Sequence, residues 1–169
     1  SEFDIVTCAQ VLQWLSRPRA ALDSLIRAAV SGGRVLVLDY NHEKAAWEPE
    51  PPAAFRRFYQ AFLAWRREAG MDNAVADRLV DMFTEAGLLD VAATPQHETV
   101  RRGEPDFERR ISIWIDVIEG RGRQMVRDGA ITEAERAAAQ EEYAAWVRDE
   151  APSQTLYLLA VEGTKPPAA

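Results

Sequence analysis

The sequence is short of thiols, of excess positive charge and of long apolar runs, and each shortage closes off a class of function. Cys8 is the single cysteine among 169 residues. That excludes an internal disulfide and a metal site built from several thiolates, so no metal is expected, and it fits a reducing compartment, by default the cytoplasm. Lysine and arginine number 20 against 27 acidic residues, a formal net charge of −7. Without a basic stripe to neutralise phosphates, nucleic-acid binding through counterion release is disfavoured, and a small molecule is the better-matched partner. No apolar run approaches the ~20 residues that cross a bilayer, and the first residues do not form a signal peptide, so no membrane association is expected. There is no internal repeat and no low-complexity segment. What is present suits one folded domain: 47% hydrophobic and 28% charged residues, enough for a sizeable core.

Strand and helix patterns alternate along the chain. Phe3 to Ala9 is rich in β-branched residues and predicts a strand. It starts almost at the first residue, with no methionine or lead-in, so the sequence reads as a piece of a longer chain. From Pro18 to Val30, Leu22, Leu25, Ile26 and Ala29 recur at helical spacing, and Ser31-Gly32-Gly33 is expected to stop that helix. Arg34 to Tyr40 then predicts a central strand, apolar on both faces. Asn41 to Pro52, polar and rich in Glu and Pro, predicts a loop. A helix follows with an aromatic face of Phe55, Phe58, Tyr59 and Phe62, and a break comes at Gly70. The next helix, Asn73 to Ala86, is expected to bury Ala76, Leu79, Val80 and Phe83 before Gly87 ends it, and Leu88 to Val100 predicts a strand. Phe107, Ile111, Trp114, Ile115 and Ile118 mark a helix that Gly120-Arg121-Gly122-Arg123 is expected to break. Thr132 and Glu135 form a capping box at the start of a last helix, which shows Ala139, Tyr143, Trp146 and Val147 on one side. Gln154 to Glu162 closes the pattern as a buried strand. Four strands with helices between them predict an α/β sheet, and Phe3 to Ala9 should be an exposed edge of it.

The order of these features resembles the second half of class I S-adenosylmethionine-dependent methyltransferases. Phe3-Asp4-Ile5-Val6 followed by Ala9-Gln10-Val11-Leu12-Gln13-Trp14-Leu15 looks like the family's fourth strand and the segment after it. Arg17-Pro18 with Ala21-Leu22 matches the stretch that follows. Ser31-Gly32-Gly33-Arg34-Val35-Leu36-Val37 matches the Pro-Gly-Gly turn into the fifth strand, with Ser31 in place of proline. Phe83 to Leu88 resembles the helix end before the sixth strand, and Gln154 to Glu162 stands where the family inserts an antiparallel seventh strand between the fifth and sixth. The resemblance implies a partial doubly wound, Rossmann-like sheet in one partial domain over residues 1–169, with a variable helical insertion at about 105–150. The Gly-x-Gly-x-Gly turn that belongs to the family's first strands does not occur in the sequence. The expected function is therefore the substrate-side part of a small-molecule methyltransferase, inactive alone. The other reading is a non-catalytic dimerisation module that pairs two copies through the Phe3 to Ala9 edge.

By resemblance, Cys8, Ala9, Gln10 and Val11 at the end of the fourth strand flank S-adenosylmethionine. The other reading of Cys8, and the favoured one, is a small buried core residue. Gln13 and Trp14 line the substrate pocket or fill the space between helix and sheet. Tyr40, Asn41 and His42 lie just past the fifth strand, where open α/β sheets place their ligands. His42, titrating near neutrality, is the candidate base, or a solvated loop histidine. Trp47 and the aromatic helix face form either a lid over an apolar acceptor or ordinary packing. His97 is read as structural or exposed, and Arg101-Arg102 with Arg109-Arg110 as a solvated face.

Overall fold

The computed structural model describes residues 2–167. Its elements in chain order are β1 (Phe3–Ala9), a 3-10 turn (Leu12–Trp14), α1 (Pro18–Ala28), β2 (Ala29–Glu48), α2 (Ala53–Glu68), α3 (Val75–Glu85), β3 (Leu89–Pro95), β4 (Glu98–Arg101), α4 (Phe107–Ile111), α5 (Ile113–Arg127), α6 (Glu133–Asp149) and β5 (Ser153–Thr164). The strands follow the order β1-β2-β5-β3, with β4 paired to β5 off that path. β1 runs parallel to β2, and β3 runs antiparallel to β5. The last strand thus stands between β2 and β3, as the resemblance implied, and β1 ends the order as an edge. Its exposed Phe3 and Ile5 mark that edge.

The chain divides into two compact units, one of Ser1–Lys44, Ala69–His97 and Tyr157–Ala169, the other of Ala45–Glu68 and Glu98–Leu156. In the first unit, Leu12, Leu22, Val35, Val37, Leu79 and Val161 make a mainly aliphatic core with the one ring of Phe83 among them, and Leu25 and Ile26 of α1 are half-buried against it. Proline at the first position of α1 suits a helix start, where an amide would lack a partner. The helix ends at Ala28, before the glycines. Gly32 and Gly33 lie inside β2 and form a bulge: Phe3 pairs with Ala29, but Ile5 pairs with Arg34. A Cβ on Gly33 would fall 2.9 Å from the Val30 carbonyl oxygen and 3.2 Å from that of Asp4. Gly33 therefore permits close strand approach, Gly32 supplies the turn with φ +76, and neither caps the helix.

The stretch expected as a loop after Tyr40 continues as strand to Glu48. Its polar groups find partners that a strand can use: the His42 amide donates to the Asn73 carbonyl at 2.8 Å, and the Asn41 side chain donates to Asp77 at 2.9 Å. α3 buries Val75, Ala76, Leu79, Met82 and Phe83, whereas Val80 is exposed. Val80 sits one residue off the buried stripe, next to Leu79, and points away. Gly87 takes φ +78 and closes the helix as expected. The single strand expected over Leu88 to Val100 is two, because the chain leaves β3 at Gln96 and His97, where the Gln96 amide donates to the Leu158 carbonyl at 3.0 Å. β4 then pairs with the first residues of β5, Glu98 opposite Leu156.

The second unit is built on aromatic rings. Phe55 stacks on Tyr143 at 4.2 Å between centroids, and Tyr59 meets Trp114 edge-on at 4.9 Å. The expected break at Gly120 to Arg123 does not occur, and α5 runs through both glycines. At Gly122 the reason is contact: a Cβ there would lie 3.0 Å from Arg136 Cγ and 3.2 Å from Phe58 Cε2. The capping box of α6 is present in both directions, and Ala139, Tyr143, Trp146 and Val147 are buried together on that helix.

Candidate functional site

Because β1 and β2 are parallel, both point the same way, and their last pair is Ala9 with Leu38. Beyond that pair β1 ends while β2 runs on to Glu48, and side chains from the segment after β1 meet those of β2 there. Gln10 turns the chain with φ 58, the left-handed region that few non-glycine residues adopt, and its amide donates to the Leu38 carbonyl at 2.7 Å. Leu12–Trp14 follow as a tight turn, sealed when the Trp14 amide donates to the Val11 carbonyl at 2.9 Å.

Asp39, fully buried, organises this end. Its two oxygens accept from the Gln13 amide at 3.2 Å and from the Tyr40 amide at 2.9 Å. Gln13, also buried, donates its side-chain nitrogen to the Gln10 carbonyl at 3.4 Å and places its side-chain oxygen against His42 Nε2. The Tyr40 and His42 rings stack at 5.4 Å with planes 24° apart. His42 is 8% exposed and lies on β2, not in a solvated loop. Asn41 bridges outward: its side-chain oxygen accepts from the Glu43 amide at 2.9 Å while its nitrogen reaches Asp77, which also holds Lys44 at 2.7 Å. That hydrogen bond keeps the Lys44 ammonium charged above its ordinary range.

At the end of β1, Ala9, Gln10 and Val11 are exposed, and Cys8 is half-buried. Burial first, and the Asp39 charge second, push the Cys8 thiol above its ordinary range, so at neutral pH it is a small neutral group. Trp47 belongs to the second unit, where its indole donates to the Tyr143 hydroxyl at 3.3 Å and its ring meets Phe55, Tyr59 and Trp114. His97 has a structural part: its Nδ1 accepts from the Leu158 amide at 3.2 Å and its ring packs on Tyr157.

The structure therefore links Gln10, Gln13, Tyr40 and His42 into one network anchored on Asp39, which the sequence pattern does not single out, while Asn41 beside them joins Asp77. The signal for Asp39 was there. Val35, Val37 and Asp39 share one face of a strand at period two, and a charge in the core-facing phase of a buried strand asks for partners. Asn73 and Asp77, brought in by α3 and the loop before it, carry no such signal.

No protein-family profile matches the sequence, and no curated protein matches it. Among solved structures the chain is similar to a protein of Bacillus halodurans C-125 described as a methyltransferase, at 18% identity and a TM-score of 0.51, over 98% of this chain and 70% of that one. It is also similar to the phosphoethanolamine N-methyltransferase 2 of Haemonchus contortus, which was solved with phosphomonomethylethanolamine and S-adenosylhomocysteine, at 13% identity and a TM-score of 0.47, over 97% of this chain. The chain spans only 34% of that enzyme's length. A third likeness is to the YcgJ protein of Bacillus subtilis, at 16% identity and a TM-score of 0.46, over 99% of this chain and 65% of that one. The likeness to the B. halodurans protein, with the strand order described above, shows that the chain has the class I methyltransferase fold. No helix among the described residues is long and apolar enough to cross a membrane.

Proposed function

We propose that this chain furnishes the acceptor side of an S-adenosylmethionine-dependent methyltransferase acting on a small molecule, including one wall of the cofactor site, and that it transfers no methyl group by itself. One observation supports this most: β1 and β2 parallel, with β5 antiparallel between β2 and β3, is the order that the resemblance assigns to strands four to seven.

The end of β1 fits such a wall. Exposed Ala9 allows close approach, Gln10 presents an amide side chain from a fixed turn, and Val11 offers apolar surface. Cys8, Ala9, Gln10 and Val11 would hold the cofactor, which supplies an electrophilic methyl group when bound. Beside that wall, Trp14, Tyr40 and Asn41 would orient the acceptor, Gln13 would act through His42, and His42 would take the proton of the acceptor. Alignment supplies most of the acceleration in an in-line displacement, so few groups beyond these are needed.

Titration calorimetry of the chain with S-adenosylmethionine tests the second clause: no binding is expected in the micromolar range, and micromolar binding would overturn it. Photocrosslinking with millimolar labelled cofactor tests the wall, which predicts label on the peptide spanning Cys8 to Val11; label elsewhere would count against it. A second reading has an observation of its own. Phe3 and Ile5 on the edge strand are 55% and 59% exposed, and such an edge can pair with that of a second copy. Light scattering decides: a dimer lost on placing lysine at Ile5 supports pairing, and a monomer at working concentration removes it.

A further inference from the structure

We propose that Gln13 is a positioning residue that fixes the proton of His42 on Nε2, leaving Nδ1 as the basic nitrogen of the candidate site. The consequence for catalysis rests on the functional reading above, but the assignment itself rests on hydrogen-bond donors and acceptors alone.

A carboxamide has one end that donates and one that only accepts. The Gln13 nitrogen donates to the Gln10 carbonyl oxygen, which can only accept. That turns the Gln13 oxygen toward His42 Nε2, and an amide oxygen has no proton to give. His42 Nε2 must therefore carry the hydrogen, and in the neutral ring the lone pair is then on Nδ1. The frame holding this pair is rigid on both sides. The Gln13 backbone amide is tied to buried Asp39, the same carboxylate takes the Tyr40 amide, and the Tyr40 ring stacks on the imidazole. The His42 backbone amide is bound to the Asn73 carbonyl, so the ring cannot slide along its strand. Charged groups of the surrounding network are Asp39, Glu43 and Lys44 on β2 and Asp77 on α3, and the contact at Nε2 is made by the Gln13 oxygen.

Long-range nitrogen–proton correlation spectra of the whole 15N-labelled chain read the tautomer directly. The sequence has only two histidines. His97, whose Nδ1 accepts from the Leu158 amide, serves as the internal Nε2–H reference. The expected spectrum shows a protonated-type Nε2 and an unprotonated-type Nδ1 for His42. In Gln13→Met both His42 nitrogens should move toward averaged shifts while those of His97 stay in place. In Gln13→Glu the acceptor oxygen is retained, so the tautomer should persist, and the added charge should raise the titration midpoint of His42 by about one unit or more. A parent ring protonated on Nδ1, or His42 resonances unmoved in Gln13→Met, would overturn the assignment. If Gln13→Met does not fold, Gln13→Glu decides: neutral His42 shifts of the Nδ1-protonated type overturn it. No cofactor or substrate enters the measurement, so the absence of methyl transfer would leave this result standing.

Discussion

The two units are held together by different chemistry. The first has a mainly aliphatic core and gathers Gln13, Asp39, Asn41, His42 and Asn73, all buried, at one end of its strands. The second buries rings: Phe55, Phe58, Tyr59, Phe62, Trp65, Trp114, Tyr143 and Trp146. Buried aromatics contribute burial free energy together with favourable ring geometry, whereas buried polar groups must first offset their desolvation, and each hydrogen bond leaves a net gain of only about 1 kcal/mol. The contrast separates a unit packed on rings from one that buries polar side chains beside its apolar core.

The largest expected effect breaks the unit packed on rings. Phe55 is fully buried and stacked on Tyr143, so Phe55→Ala should remove about 3–5 kcal/mol of stability in denaturant titration. A loss below about 1 kcal/mol would mean the ring cluster is not what holds the second unit. The polar end of the first unit should answer less steeply. Asp39→Ala leaves the Gln13 and Tyr40 amides without their acceptor and should cost about 2 kcal/mol. Asp39→Asn keeps one oxygen and should cost less. It also removes the second of the two influences that raise the Cys8 thiol, so alkylation of Cys8 at fixed pH should become faster, though still slower than for an exposed thiol, because burial remains.

The same contrast explains what could be read from sequence. Helical stripes such as Ala139, Tyr143 and Trp146, the edge strand Phe3 to Ala9 and the capping box at Thr132 were legible, because each depends on residues close together in the chain. At the candidate site, the sequence pattern puts Tyr40, Asn41 and His42 just past a strand end, whereas they lie within β2. Their state was not legible: His42 is buried because α3 and the loop before it cover β2, and Asp39 acquires its role only when Gln13, 26 residues away, reaches it. Gly87 ends its helix as its local signal says, but Gly32, Gly33, Gly120 and Gly122 do not, for a related reason. Their local signal is a break, but Gly33 and Gly122 are set by what packs against them.

That last point gives a paired test within one helix. Gly120 and Gly122 both lie in α5, but nothing comes within 4 Å of a Cβ built on Gly120. Gly120→Ala should therefore gain the helix propensity difference, about 0.5–1 kcal/mol. Gly122→Ala gains the same propensity but presses on Phe58 and Arg136, and overpacking of about 1–3 kcal/mol should reverse the sign. Equal effects at the two positions would show that the second unit yields to a methyl group, against the tight ring packing described for it.

The smallest expected effect lies at the exposed start of α6, outside both the ring cluster and the polar end. The Thr132 hydroxyl accepts from the Glu135 amide at 3.2 Å, and the Glu135 carboxylate accepts from the Thr132 amide at 2.7 Å and from its hydroxyl at 2.8 Å. Thr132→Ala should cost about 0.5–1 kcal/mol at neutral pH. These bonds, the backbone one foremost, hold the Glu135 carboxyl below its ordinary value of 4.5. A carboxyl lowered in the folded state adds stability that is fully present above that ordinary value and fades as pH falls through the lowered one. Thr132→Ala keeps the backbone bond but loses the hydroxyl, so the acid-side fall in stability should become shallower without disappearing. Thermal melts of both proteins from pH 7 to pH 3 measure this slope. An unchanged slope would place the lowering of Glu135 wholly in the backbone bond and leave the hydroxyl only its pH-independent work as acceptor for the Glu135 amide.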